Sequence, residues 1–240
     1  MSSPRRLHHE PLLDEGGEVE LSADATKHAA VLRLAVGDPV TLFDGAGGEA
    51  DGEVTRAGER LVCAVGPKRE APPRPRIVLV QCLPKGSKLD DIVRATTEIG
   101  VSEVRLAHAE RAVARPDAAR ASKRLERLSK IAREASRQSL RADVPDVRAP
   151  DALLDVAAGA PDGAVKLAFV VGGKGSIAAC VDPTRETWLV IGPEGGLAPD
   201  EVEGLTRLGY RSVGLAGPVL RVETAAPIAV ALVAHRLGVL

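Results

Sequence analysis

The chain has 240 residues, 45% of them apolar and 27% charged, with a formal net charge of -1. This length allows one large or two small domains with a sizeable core, and the balance is ordinary for a soluble globular protein. No apolar run is long enough to cross a membrane, and the near-neutral total by itself argues against a nucleic-acid binder.

"MSSPRRLHHEPLLDEGG" carries arginines but no apolar core behind them, so a signal peptide is not expected. Short β-like runs follow: "GEVELS", "DPVTLFDG", "GEADGEVTRA" and "ERLVCAVG". Glycine-rich turns space them, which suggests a small barrel. "SADATKHAAVLRL" interrupts them with helical apolar spacing, and Ser22 is a suitable N-cap. "VGPKREAPPRPRIVLV" places four prolines between Pro67 and Arg76 and reads as a linker. The expected domains are therefore 1–72 and 73–240.

Beyond the linker, strands and helices alternate. "RIVLVQCL" reads as a buried strand, and "KLDDIVRATTEIG" as a helix stopping at Gly100. "VSEVRLAHA" is a strand, and a long helix runs from about Asp117 to Leu140. "VKLAFVV", "ETWLVIG" and "RSVGLA" read as strands, "APDEVEGLTRLG" and "ETAAPIAVALVAHRLG" as helices. This is an α/β pattern, with a mostly parallel sheet covered on both faces.

Charge is segregated despite the small total. Arg111 to Arg148 holds eleven Arg or Lys against five Asp or Glu, whereas the first 76 residues hold ten against thirteen. On the long helix, Leu125, Leu128, Ile131, Ala132 and Ala135 share one side. Arg120, Lys123, Arg124, Arg127, Lys130, Arg133, Arg137 and Arg141 fall on the opposite half. Such a face is either a solvated exterior or a footprint for a phosphate backbone. Cys63, Cys82 and Cys180 lie far apart, and no CxxC or HExxH occurs. Small buried thiols in a reducing cytoplasm are expected, not a disulfide scaffold or a metal site.

Two turns carry the chemistry. "LVIGPEGGLAPDEVEGL" runs from a strand through Gly192–Gly196 into a helix. It lacks the spacing of GxGxxG and the lysine of GxxxxGK[ST], so neither a dinucleotide site nor a P-loop is supported. "LAGPVLRVETAA" repeats the arrangement after the next strand, with Arg221, Glu223 and Thr224 at the start of a helix. Turns after successive strands converge at the carboxyl edge of a sheet, where ligands of α/β folds sit.

At these residues the chain resembles the ribosomal RNA small subunit methyltransferase E family. "IGPEGGLAPDEVEGL" and "LAGPVLRVETAAPIAV" are similar to its IGPEGG loop and LGPRILRTETA segment. "PRRLHHEPL" (Pro4–Leu12), "HAAVLRLAVGDPVTLFDG" (His28–Gly45), "ATTEIGVSEV" and "REASRQSLRADVPDV" resemble further family segments in order. Two departures stand out: Pro218 replaces the usual arginine, and Val222 the usual threonine. The loop "VGGKGS" after "KLAFV" is also unusual.

The resemblance implies a PUA-like RNA-binding barrel followed by a SPOUT α/β domain with a trefoil knot that holds S-adenosylmethionine. It implies a cytoplasmic homodimer that methylates N3 of one uridine in 16S rRNA of the small ribosomal subunit, with no metal. Gly192, Glu194, Gly195, Leu215, Gly217, Val219 and Leu220 fall where the cofactor is expected. Arg221 and Glu223 are the catalytic candidates: Arg221 for uracil oxygens or a phosphate, Glu223 for the N3 proton. An ion pair between these two is the competing structural role. Arg5, Arg6, Arg33, Lys85, Lys88 and Arg94 are the RNA-binding candidates. A SPOUT enzyme with another RNA target, a non-catalytic ribosome assembly factor and a nucleotide-binding α/β enzyme are the alternatives, the last disfavoured by the missing P-loop lysine.

Overall fold

The computed structural model describes residues 5–12, 14–111, 118–215 and 217–240, with the side chains of 118–120 left aside. Pro4, Asp117, Ala216 and the Arg120 side chain therefore lie outside the described residues. The chain divides into two compact units, one comprising Met1–Pro73 with Arg133–Val144, the other Arg74–Ala132 with Pro145–Leu240.

The first unit contains β1 (Arg6–His8), β2 (Gly17–Glu20), α1 (Ala23–Val31), β3 (Pro39–Phe43), β4 (Gly48–Arg56), β5 (Val62–Val65) and β6 (Arg69–Glu70). Ser22 caps α1, its side chain accepting the Ala25 N–H at 3.2 Å. The strand order is β1-β3-β4-β5-β2, with β6 on β4. Only the β1–β3 pair is parallel. One face of this sheet is apolar: Leu7, Val19, Leu42, Val54 and Cys63 share a buried cluster with Ala25 and Ala29 of α1. β1 and β6 are too short to show a period in sequence. Burial pushes the Cys63 thiol up to about 11, so it packs as a small apolar group.

Three histidines of this unit are held below the ordinary imidazole value. Burial is the main cause for His8, His9 and His28, with Arg133 adding at His8 and Arg137 at His28. Between those lowered values and about 6.5 the unfolded chain binds more protons than the folded one. Stability should thus be full above pH 6.5 and fall as the pH drops below it. The depressed carboxyls of Asp38, Asp44 and Asp51 lose their contribution only below the usual carboxylate range. Thermal unfolding followed by circular dichroism should therefore show a falling melting temperature between pH 7.5 and 5.5. A flat or rising profile there would contradict this linkage.

The second unit contains β7 (Ile77–Cys82), α2 (Lys88–Ile99), β8 (Glu103–His108), α3 (Ala118–Gln138, whose end belongs to the first unit), β9 (Asp146–Ala152), α4 (Leu153–Ala158), β10 (Val165–Phe169), α5 (Ile177–Cys180), β11 (Thr187–Ile191), α6 (Pro199–Arg207), β12 (Arg211–Val213) and α7 (Val222–Arg236). All six strands are parallel, in the order β12-β10-β11-β7-β8-β9. Every residue of β7 and β11 is buried, Gln81 and Thr187 included, as in the central strands of a doubly covered parallel sheet. α7 packs against α2, β7 and β11. Gly100 ends α2 at φ 124°, and Gly209 follows α6 at φ 86°, conformations that favour glycine. β9, α4 and α5 are additions to the sequence reading. β9 is an edge strand with Pro150 and mostly solvated residues, so it shows no clean alternation.

The single basic face expected for α3 needs correction. Lys123, Arg127 and Lys130 are exposed, but Arg137 and Arg141 are buried. Arg137 pairs with Glu134 at 2.7 Å, and Arg141 pairs with Asp143. Arg127 is tied to Asp90. A helical wheel cannot register that residues 133–144 join another compact unit. Cys180 is half-exposed, not buried as expected. No described helix is long and apolar enough to cross a membrane.

Candidate active site

Because β10, β11 and β12 are neighbours, the loops leaving their carboxyl ends meet. They enclose a cavity of about 720 Å³, within the range of small-molecule sites. The 192–197 loop is one wall. Its turn closes with the Gly196 N–H donating to the Pro193 carbonyl at 2.9 Å, and Gly196 adopts φ +68°. Gly192 is closely packed: a Cβ there would lie 3.2 Å from the backbone of Gly196 and Leu197, so a side chain would press on the turn. The loop after β12 forms the second wall and leads into α7, where the Thr224 and Ala225 N–H groups donate to the Arg221 carbonyl at 2.9 and 2.7 Å.

The third wall, Phe169–Gly172, begins the unusual "VGGKGS" stretch. A Cβ on Gly173 would stand 2.5 Å from the Val213 carbonyl, and one on Gly214 2.4 Å from the Gly173 oxygen. The two loops thus touch backbone to backbone. The Val170 N–H donates to the Val213 carbonyl at 2.9 Å and the Gly175 N–H to Ser212 at 3.2 Å, which continues the parallel pairing of β10 with β12.

All seven residues expected around the cofactor line this cavity: Gly192, Glu194, Gly195, Leu215, Gly217, Val219 and Leu220. Arg221 lines it too, and its guanidinium has no ion-pair partner among the described residues. Glu223 stands beside the cavity, with its Oε2 3.4 Å from Lys88 Nζ. The competing Arg221–Glu223 ion pair is not formed among the described residues; Lys88 is the cation beside Glu223. Lys88 Nζ also lies 2.9 Å from Glu194 Oε1. Burial pushes the Glu194 carboxyl up, but Lys88 and backbone donors outweigh it and hold the group below its usual value. The Glu194 bond raises Lys88 in turn, against the opposing effect of burial.

Of the residues expected at RNA, Arg5, Arg33, Lys85 and Arg94 are exposed. Arg5 is paired with Asp38 and Arg94 with Asp91, both at 2.7 Å. Arg6 is only 8% exposed; it pairs with Glu49 at 2.5 Å, donates to the Arg141 carbonyl at 3.0 Å and covers the Phe43 ring. Its side chain is a core polar group, which corrects its sequence assignment. Lys88 belongs to the cavity. Sequence reading missed Arg111, which lines the cavity and donates to the Gly195 carbonyl at 3.0 Å. It also missed the buried Glu201, whose carboxylate accepts the Glu110 and Ala198 N–H groups, each at 2.8 Å. A glutamate three residues after the N-cap Ala198 was the available signal.

A parallel α/β sheet with a glycine-walled cavity at its carboxyl edge, joined to a small β unit, defines a two-part α/β protein with a small-molecule site. The RNA methyltransferase domain family matches residues 71–234, and the RNA methyltransferase PUA domain family matches residues 21–65. The ribosomal RNA small subunit methyltransferase E of Mycobacterium bovis is 36% identical over 92% of this chain and 88% of its own. That of Bacillus subtilis is 30% identical over 95% and 94%. The enzyme of the same name from Neisseria gonorrhoeae, solved bound to S-adenosyl methionine, superposes with a TM-score of 0.89 at 26% identity over 97% of both chains. A putative methyltransferase from Legionella pneumophila, solved with the cofactor SAM, gives 0.86 at 25% identity over the same shares. The chain belongs to the ribosomal RNA small subunit methyltransferase E family.

Proposed function

We propose that this protein transfers the methyl group of S-adenosylmethionine to N3 of a uridine in 16S rRNA of the small ribosomal subunit. The observation that carries this reading is the meeting of three loops around one cavity with Arg221 at its rim and Glu223 beside it. The residues fit the cofactor: the walls offer apolar side chains and glycine backbone. When bound, S-adenosylmethionine supplies an electrophilic methyl carbon on a positive sulfur. The chain's own residues must do the rest. Backbone groups of the glycine turns would hold the cofactor's polar edges, and Leu215, Val219 and Leu220 would supply apolar cover. Uracil N3 has no free lone pair until its proton leaves. Glu223 accepts that proton, and Arg221 balances the negative charge that builds on the uracil oxygens.

RNA contacts are assigned to exposed Arg5, Arg33, Lys85 and Arg94 and to Lys123 and Lys130 of α3, which would make binding strongly salt-dependent. The PUA-like unit is the RNA-binding part, the knotted SPOUT unit holds the cofactor, and the working form is a cytoplasmic homodimer. The test is incubation with unmodified small ribosomal subunits and tritiated methyl donor, followed by nucleoside mapping. 3-Methyluridine in 16S rRNA is expected; a 2′-O-methyl product or label in another RNA would refute the target. Glu223→Gln should keep cofactor binding in calorimetry yet lose about 100-fold or more in transfer, the usual scale of a general base. Near-normal turnover would remove Glu223 from the mechanism.

A further inference from the structure

Lys88 opens α2, yet its side chain serves two other segments. Its Nζ reaches Glu194 in the 192–197 loop at 2.9 Å and Glu223 in the first turn of α7 at 3.4 Å. Glu194 is gripped from a second side by the Lys85 N–H, at 3.1 and 3.3 Å from its two oxygens. Residues far apart in sequence thus converge on one ammonium. The three side chains are 32, 27 and 25% exposed, so water screens the contacts only in part. The Glu223 Oε2 is shielded from solvent and accepts no hydrogen bond from the described residues, among which the Lys88 charge faces it.

Two consequences follow for the cavity that Lys88 itself lines. Glu194 is an anchor for its own loop, because its oxygens are already engaged inside the protein. The Glu223 carboxylate is aimed by Lys88 and not by Arg221. Without the ammonium the two carboxylates face each other as like charges, and the loop and the helix start would move apart.

We infer that Lys88 is a positioning residue of the transfer site: it fastens the 192–197 loop to the start of α7 and so sets cofactor wall and proton acceptor together. The role assigned to Glu223 rests on the function proposed above; the fastening does not. Lys88→Met and Lys88→Arg are to be compared with the parent protein in calorimetry with S-adenosylmethionine, in methyl transfer to small ribosomal subunits and in thermal unfolding. Lys88→Met should weaken cofactor binding about tenfold, the effect of about 1.4 kcal/mol, and lower kcat further. Lys88→Arg should recover most of both, because it keeps the charge at similar reach. A merely structural lysine would lower the melting temperature without this recovery or this division between binding and kcat. Binding and turnover of Lys88→Met within twofold of the parent would overturn the inference. If the parent binds no S-adenosylmethionine, the methyltransferase reading fails instead. The fastening is then decided by melting temperatures of Lys88→Met, Glu194→Gln and the double variant. Non-additive losses support it, and additive ones overturn it.

Discussion

Glu103→Ala is expected to destabilise the second unit by about 3 kcal/mol, the low end of the cost of breaking a buried ion pair. Glu103 is the first residue of β8 and its side chain is 1% exposed. It accepts from Arg105 Nε and Arg148 Nε at 2.7 Å each, and from Arg76. Arg105 and Arg148 are direct neighbours across β8 and β9, a like-charge pairing that is unfavourable without an acid between them. Arg105 also lies over the Trp188 ring at 4.6 Å, so it cannot swing away freely. Arg76 and Arg148 are half in water, at 49 and 57% exposure, and can rehydrate. That is why the low end of the range applies. At about 2–4 °C per kcal/mol for a unit of this size, the melting temperature should fall by about 6–12 °C. Arg148→Ala should cost far less, since Arg148 keeps much of its hydration in the fold. Chemical denaturation of both variants checks this, and a loss below 1 kcal/mol for Glu103→Ala would show that the three arginines do not need their common acid.

Glu103 also marks where sequence reading stops. Local signals were legible because their physics is local. Ser22 satisfies an N–H three residues on, and Gly100 and Gly209 follow helices in conformations a side chain resists. The strands were legible because β7 and β11 are mostly apolar, and the order of β11 and β12 in sequence placed two glycine turns at one edge. With the family resemblance, that sufficed to gather all seven cavity residues. What failed depends on which segment packs on which. Glu103, Arg6, Arg137 and Arg141 have the residue types of a solvated surface, and only tertiary partners reveal them as buried. Lys88 looked like an RNA contact because its two carboxylates lie 106 and 135 positions away, the second by subtraction of 88 from 223. No spacing rule spans such a gap.

Gly173→Ala is expected to weaken S-adenosylmethionine binding by about 10- to 100-fold, although the added methyl would touch no cofactor. A Cβ at this position meets the Val213 carbonyl carbon and oxygen at 2.5 Å and the Gly214 nitrogen at 2.9 Å. These are backbone atoms of a strand end, so they cannot rotate away as a side-chain tip would. Ordinary contact begins near 3.4 Å, so the loop must retreat by roughly 1 Å, and the expected loss of binding corresponds to about 1.4–2.7 kcal/mol. The retreat would stretch the Val170–Val213 and Gly175–Ser212 bonds and shift Val170, Val171 and Gly172, which line the cavity. Stability should fall by about 1–3 kcal/mol, the usual cost of overpacking. Gly163→Ala is the control, because a Cβ there meets nothing within 4 Å and its φ is not of the left-handed kind. Calorimetry on both variants separates the effects. Binding by Gly173→Ala within threefold of the parent would mean that the loop absorbs the methyl without moving the wall. Gly173 and Gly175 of "VGGKGS" would then have to be explained without their contact with β12. The expected loss would instead tie that unusual sequence to the same pocket as "IGPEGG" and "LAGPVLR", through the backbone contact of Gly173 with Val213 and Gly214.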